Sequence, residues 1–192
     1  ETESWNGTSW TEVNDLNTAK SFIGGSGTQT AGLAIGGPGT NAETESWNGT
    51  SWTEVNDLNT GRQVYSTANF TQTSSLVAGG SPPATAKTES WNGTSWTETT
   101  DLNTARAHLG LTGADNTSAL AFGGEPGSGT VALTESWNGS SWTEKGDLAT
   151  ARHYVGSAGT ATAGFAIGGD GNLVSTEEFS DPATSTVSFT VS

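Results

Sequence analysis

One phrase of eleven residues recurs four times, as TESWNGTSWTE at 2–12, 44–54 and 88–98 and as TESWNGSSWTE at 134–144. Its opening threonines, Thr2, Thr44, Thr88 and Thr134, are followed by a diverged copy at Thr176 (TEEFS), giving spacings of 42, 44, 46 and 42 residues. A period of this length marks a repeat architecture, in which each unit buries its apolar face only against its neighbours. The text between the copies repeats as well. It runs DLNTAK (15–20), DLNTGR (57–62), DLNTAR (101–106) and DLATAR (147–152), and later an apolar run closed by two glycines. Those pairs are Gly36-Gly37, Gly79-Gly80, Gly123-Gly124 and Gly168-Gly169.

Each unit reads as four short strands. Strand A follows the basic residue, and strand B is the continuous apolar run expected of a strand covered on both faces. Strands C and D are TESW and TSWTE. No helical periodicity persists for ten residues. Units of about 43 residues with four strands each predict an all-β fold, a β-propeller.

Asn-Gly between C and D predicts a two-residue type I′ hairpin turn, which requires positive φ at both positions. That register sets Trp5 opposite Thr8 and Glu3 opposite Trp10, with Trp5 and Trp10 diagonal neighbours. Side chains alternate, so Glu3, Trp5, Thr8, Trp10 and Glu12 share one face, and Thr2, Ser4, Ser9 and Thr11 the other. All eight tryptophans (Trp5, Trp10, Trp47, Trp52, Trp91, Trp96, Trp137 and Trp142) belong to such hairpins. The Trp face of one blade is expected to nest on the small face of the next, each buried indole contributing roughly 2–3 kcal/mol.

Composition agrees with a turn-rich β protein: apolar residues are only 31% of the chain, and Thr, Ser, Gly and Ala fill the remainder in regular patterns. Net charge is −14 with six dispersed basic residues, which disfavours nucleic acid and anionic membranes as partners. No apolar run is long enough to span a bilayer as a helix, so membrane insertion is not expected. Cysteine is absent, which excludes disulfides and thiol chemistry.

The order of signals resembles the kelch repeat. Its elements are a basic residue opening the first strand (Lys20, Arg62, Arg106, Arg152), a second strand ending in Gly-Gly, a later aromatic and a closing Trp. Kelch units usually carry Tyr-Asp before the last turn, where this chain has Trp-Asn-Gly. The wording is also similar to kelch-type repeats in structural proteins of aquatic bacteriophages. The resemblance covers essentially all 192 residues and implies a virion-surface or extracellular setting. A kelch-like propeller with copper oxidase activity needs Cys ligands and is excluded.

Counted this way, residues 14–58, 59–102, 103–148 and 149–192 form four complete blades, and 1–13 only a C–D half blade. TVSFTVS, at the end of the chain, is expected to supply the last strand D. Upstream residues, or another copy of the chain adding strands, would complete the first blade. The second route would build a filament.

Candidate chemistry is sparse. Asp15, Asp57, Asp101 and Asp147 each precede the basic residue by five, and the two are expected to satisfy loop backbone and one another. Glu3, Glu45, Glu89 and Glu135 recur identically, which argues against the contrasting carboxylates of a glycosidase. His108 and His153 fall in different blades and make no metal site alone. Asp170-Gly171-Asn172 matches no full calcium loop. No cofactor is expected. Asn6, Asn48, Asn69, Asn92, Asn116 and Asn138 head glycosylation sequons, four of them already explained as turns.

The expected role is that of a non-catalytic structural or binding protein, with protein partners or copies of itself and surface glycans as candidates. Recognition is expected in the variable segments 24–31, 38–43, 66–75, 81–87, 113–118 and 125–133. The competing reading is a lectin or carbohydrate-active propeller, which would need exposed Trp or unique converging polar residues.

Overall fold

The computed structural model describes residues 1–68, 70–170 and 173–181. Among these residues there are sixteen strands and no helix, in five small antiparallel sheets. The first pairs β1 (Thr2–Trp5) with β2 (Trp10–Val13). The second contains β3 (Gly24–Thr28), β4 (Ala31–Ile35), β5 (Thr44–Trp47) and β6 (Trp52–Val55). The third contains β7 (Ser75–Ala78), β8 (Thr88–Trp91) and β9 (Trp96–Glu98). The fourth contains β10 (Gly110–Asp115), β11 (Ser118–Phe122), β12 (Thr134–Trp137) and β13 (Trp142–Glu144). The fifth contains β14 (Gly156–Gly159), β15 (Ala163–Ile167) and β16 (Thr176–Ser180). Every sheet is a meander in chain order.

The core lies between the sheets. Leu33, Ile35, Val77, Trp91 and Trp96 form one cluster between the second and third sheets. Leu76, Ala78, Leu111, Ala119, Ala121, Trp137 and Trp142 form the next. Leu120, Phe122, Val155 and Ala166 form the last, with Phe179 against them. Successive residues of β11 thus face opposite neighbours, as the period of two requires. Strand B is buried throughout in β7, whereas in β15 it alternates exposed and buried.

The hairpin register differs from the sequence expectation. Trp5 pairs with Trp10, Ser4 with Thr11, Glu3 with Glu12 and Thr2 with Val13, leaving a four-residue turn over Asn6–Ser9. The Asn6 carboxamide oxygen accepts the backbone N–H groups of Thr8 and Ser9, both at 2.9 Å. Asn6 therefore acts through its side chain, an Asx turn, and only Gly7 takes positive φ. Asn48, Asn92 and Asn138 do the same. The two tryptophans of each hairpin are directly opposed, not diagonal, with ring centroids 5.3–5.4 Å apart. The shift is by two residues, so Glu3, Trp5, Trp10 and Glu12 still share one face and Thr2, Ser4 and Thr11 the other, while Thr8 and Ser9 pass into the turn.

Four complete four-stranded units are not found among the described residues. The segment after Arg62 forms no regular strand A; its hydrogen bonds divide between its own unit, where Gln63 bridges to Ser81, and the preceding sheet. Gly25 donates to Thr67 Oγ1 at 3.1 Å and Gly27 donates to the Phe70 carbonyl at 2.8 Å. The expected last strand, TVSFTVS, lies outside the described residues.

Sheet spacing explains the paired glycines. Gly79 and Gly123 have φ of +69° and +65°, and a Cβ on them would stand 2.4 Å from the carbonyl oxygens of Arg106 and Arg152 in the next unit. A Gly123→Ala variant should lower stability by about 2 kcal/mol or more, through the close approach and the left-handed backbone together. Gly129 has φ +74° with open space around it, so Gly129→Ala should cost clearly less. Thermal or urea unfolding of the two variants checks the difference.

Candidate functional site

The repeated polar residues belong to one linker, best seen at residues 57–62. Its first half holds the preceding sheet: Asp57 Oδ1 accepts the N–H of Thr44 at 3.1 Å, and Leu58, buried, donates its N–H to the Ala42 carbonyl. Its second half holds the following sheet. Asn59 donates its backbone N–H (2.7 Å) and its side-chain amide (3.0 Å) to Glu89 Oε2, and Arg62 Nη1 reaches Glu89 Oε1 at 3.0 Å. The Asn59 amide also donates to the Trp96 carbonyl.

The other linkers follow suit. Lys20 pairs with Glu45 at 3.0 Å, Arg106 with Glu135 at 2.6 Å and Arg152 with Glu177 at 2.5 Å. The Arg106 and Arg152 guanidinium groups further donate to carbonyls of Gly123 and Leu133, and of Gly168 and Ser175. Lys20, Arg62, Arg106, Arg152, Glu45, Glu89 and Glu135 are almost wholly buried. Desolvation lowers the Arg62 and Arg106 pKa, and their glutamates oppose it. Desolvation alone would raise Glu45, but the Asn17 N–H and the Lys20 ammonium outweigh it and hold the carboxyl below its ordinary value.

The expected Asp–Arg partnership is therefore corrected: each Asp caps a strand of the preceding sheet, and each basic residue pairs with a glutamate 25–29 residues onward. Nor does Glu3 face a Trp; it faces Glu12.

The tryptophans bridge sheets by their indole N–H groups. Trp52 donates to Thr2 Oγ1 (3.3 Å), Trp96 to Thr44 Oγ1 (3.0 Å) and Trp142 to Thr88 Oγ1 (3.1 Å). Trp47, Trp91 and Trp137 donate to the carbonyls of Gln29, Gln72 and Asn116 in their own sheets. Trp47, Trp91, Trp96, Trp137 and Trp142 are buried and Trp52 is half-buried, whereas Trp5 and Trp10 are 43% and 63% exposed.

Sequence reasoning missed one part of this frame. Gln72 donates to Ser46 Oγ at 2.8 Å and the Trp47 carbonyl at 2.6 Å, and Asn116 donates to Ser90 Oγ and the Trp91 carbonyl, both at 2.9 Å. Gln29 makes the same pair of bonds to Ser4 and Trp5. These amides sit three residues before the strand-B residue that pairs with Trp, a regular offset hidden in segments read as variable. Ala161 stands at that offset in the last unit. Asn116 is thus committed to the frame. Asn6, Asn48, Asn92 and Asn138 are on exposed turns, and Asn69 lies outside the described residues.

Where the units differ, their side chains converge. The segments leading from each basic residue into strand A carry Phe22, Tyr65, His108 and the pair His153-Tyr154. Ring centroids are 5.7 Å apart for Phe22–Tyr65, 4.1 Å for Tyr65–His108, 4.2 Å for His108–Tyr154 and 6.1 Å for His108–His153. Tyr65 and Tyr154, from units two apart, are separated by 6.0 Å. Segment 125–133 supplies Glu125, 3.2 Å from His108 Nδ1, and Thr130, 3.0 Å from His153 Nδ1. Asp170 lies 3.5 Å from His153 Nε2. Polar residues unique to single units therefore converge here. Burial lowers the His108 pKa against the pull of Glu125, favouring the neutral ring. Among the described residues no group of three or more His, Asp or Glu is placed to hold a metal ion.

Glu135→Ala would leave Arg106 charged and buried, and should cost about 3–5 kcal/mol of stability. Glu98 forms an exposed pair with Lys87, and Glu98→Gln should leave the unfolding midpoint unchanged within error. Urea unfolding of both variants measures the contrast.

No family model matches the chain, and a search of curated proteins gives no match.

Proposed function

We propose that the chain forms a kelch-like β-propeller, its sheets acting as blades about a common axis. We assign it a non-catalytic structural and binding role in an extracellular or virion-surface assembly, similar to the repeat proteins of aquatic bacteriophages. The observation that carries the propeller reading is the approach of Tyr65 to Tyr154 at 6.0 Å. These residues belong to units two apart. In a straight stack, with about 10 Å between neighbouring sheets, such units would stand about 20 Å apart. Curvature of the array about an axis at the strand-A side brings them together.

The non-catalytic role is supported by the fate of the repeated acids. Glu45, Glu89 and Glu135 are buried against cations and backbone N–H groups, with no face left for substrate. Partners are other proteins, further copies of the chain that extend it as a filament, or surface glycans.

Electron-microscopic class averages of the purified chain should show sheets arranged radially around a centre. A straight ladder of sheets would contradict the propeller. In parallel, panels of glycosidase, esterase and phosphatase substrates should show no turnover. Turnover abolished by a substitution in the Tyr65–His108–Tyr154 cluster would overturn the non-catalytic role.

A further inference from the structure

The aromatic cluster is the part of the molecule that the repeat does not explain. Its residues differ from unit to unit, yet they meet. Three of them, Phe22, His108 and Tyr154, adopt positive φ of 55°, 54° and 51°, a conformation that bulky side chains rarely take. Phe22 and Tyr154 are 54% and 56% exposed, so these two rings are not buried as a core would bury them, whereas the His108 side chain between them is only 13% exposed. A cavity of about 290 Å³ opens between Tyr65, His108, Tyr154, Leu109 and Val155.

Charge decides what such a cavity can hold. All six basic side chains are already paired: Lys20, Arg62, Lys87, Arg106, Lys145 and Arg152 each meet a carboxylate. The free balance of the chain is anionic, at −14 overall. Around the rings stand Glu125 and Asp170, beside imidazoles of which His108 is pushed toward neutrality by burial. Partial desolvation raises the Tyr154 phenol, and Tyr65, Glu125 and Asp170 add to it, so both carboxylates act on this ring. Aromatic faces backed by carboxylates attract organic cations through the ring quadrupole and the anionic field together. An anionic sugar or phosphate would meet repulsion here.

We infer that the cup formed by Tyr65, His108 and Tyr154 binds a small organic cation of the alkylammonium class, with the ammonium against the ring faces and Glu125 and Asp170 supplying the counter-charge. The assignment stands on the cluster's own geometry, whether or not the sheets close into a propeller.

Choline serves as the probe, with 3,3-dimethylbutan-1-ol as its uncharged isostere and methyl α-glucoside as a neutral sugar. Saturation-transfer NMR on the full chain should show contact to the choline methyl groups. Binding of the isostere should be at least ten-fold weaker. Tyr154→Ala should weaken choline binding at least five-fold, and Glu125→Gln several-fold. Unchanged indole N–H resonances would confirm that each variant keeps the fold. Tyr154→Leu replaces Tyr154→Ala if the smaller side chain unfolds the protein. Equal binding of choline and its isostere would overturn the inference, because charge would then play no part. Binding of the glucoside without choline, or no choline contact at high millimolar concentration, would overturn it equally.

Discussion

The buried ion pair between each linker and the sheet that follows it is the constraint on which the other contacts depend. A guanidinium and a carboxylate taken out of water are costly unless every donor and lone pair is met. Here Asn59 and Arg62 close on Glu89, and Asn103 and Arg106 close on Glu135, from a backbone anchored one sheet earlier by Asp57 or Asp101, although Arg62 Nε and Nη2 and Arg106 Nε have no hydrogen-bond partner among the described residues. The linker thus fixes the distance between neighbouring sheets. Only at that distance can Trp142 donate to Thr88, and only at that distance must Gly79 and Gly123 lack a Cβ. Small strands, polar composition and a stable core become compatible because the apolar surface is shared between units rather than enclosed within one.

The same frame brings the non-repeating side chains together. Its regular spacing delivers four strand-A entries to one neighbourhood, and residues that differ from unit to unit are free to specialise there. The Tyr154 N–H donates to the His108 carbonyl between units, but the side chains of Tyr65, His108 and Tyr154 take no part in the buried ion pairs and can change without loss of those pairs. Glu125 and Thr130, from a variable connection, add polar groups around them. A repetitive scaffold with one non-repetitive centre is a physically economical way to carry recognition.

Much of the architecture was legible in the repeat. Period, strand order and the two-faced hairpin all follow from local patterns, whereas the need for the glycine pairs comes from the approach of the next unit. The hairpin register was not, because the Asn side chain competes with the backbone for the turn and adds two residues to it. The partner of each arginine was not legible either: a nearby Asp at a fixed offset looks more natural than a glutamate 25–29 residues away. Nor was the missing strand A after Arg62, where the Thr67 hydroxyl and the Phe70 carbonyl accept from Gly25 and Gly27 across a sheet boundary. The His108–Tyr154 approach joins different units and leaves no trace in any one of them.

Hydrogen exchange of the eight indole N–H groups, resolved by ¹⁵N NMR, tests most directly whether stability resides between the sheets. Trp96 and Trp142 donate across sheet boundaries and are buried, so their indoles should exchange slowest, near the rate of global unfolding. Those of Trp5 and Trp10, on an exposed hairpin face, should exchange fastest. If Trp96 and Trp142 exchanged as rapidly as Trp10, the sheets would not be held together by the contacts described, and the account would fail.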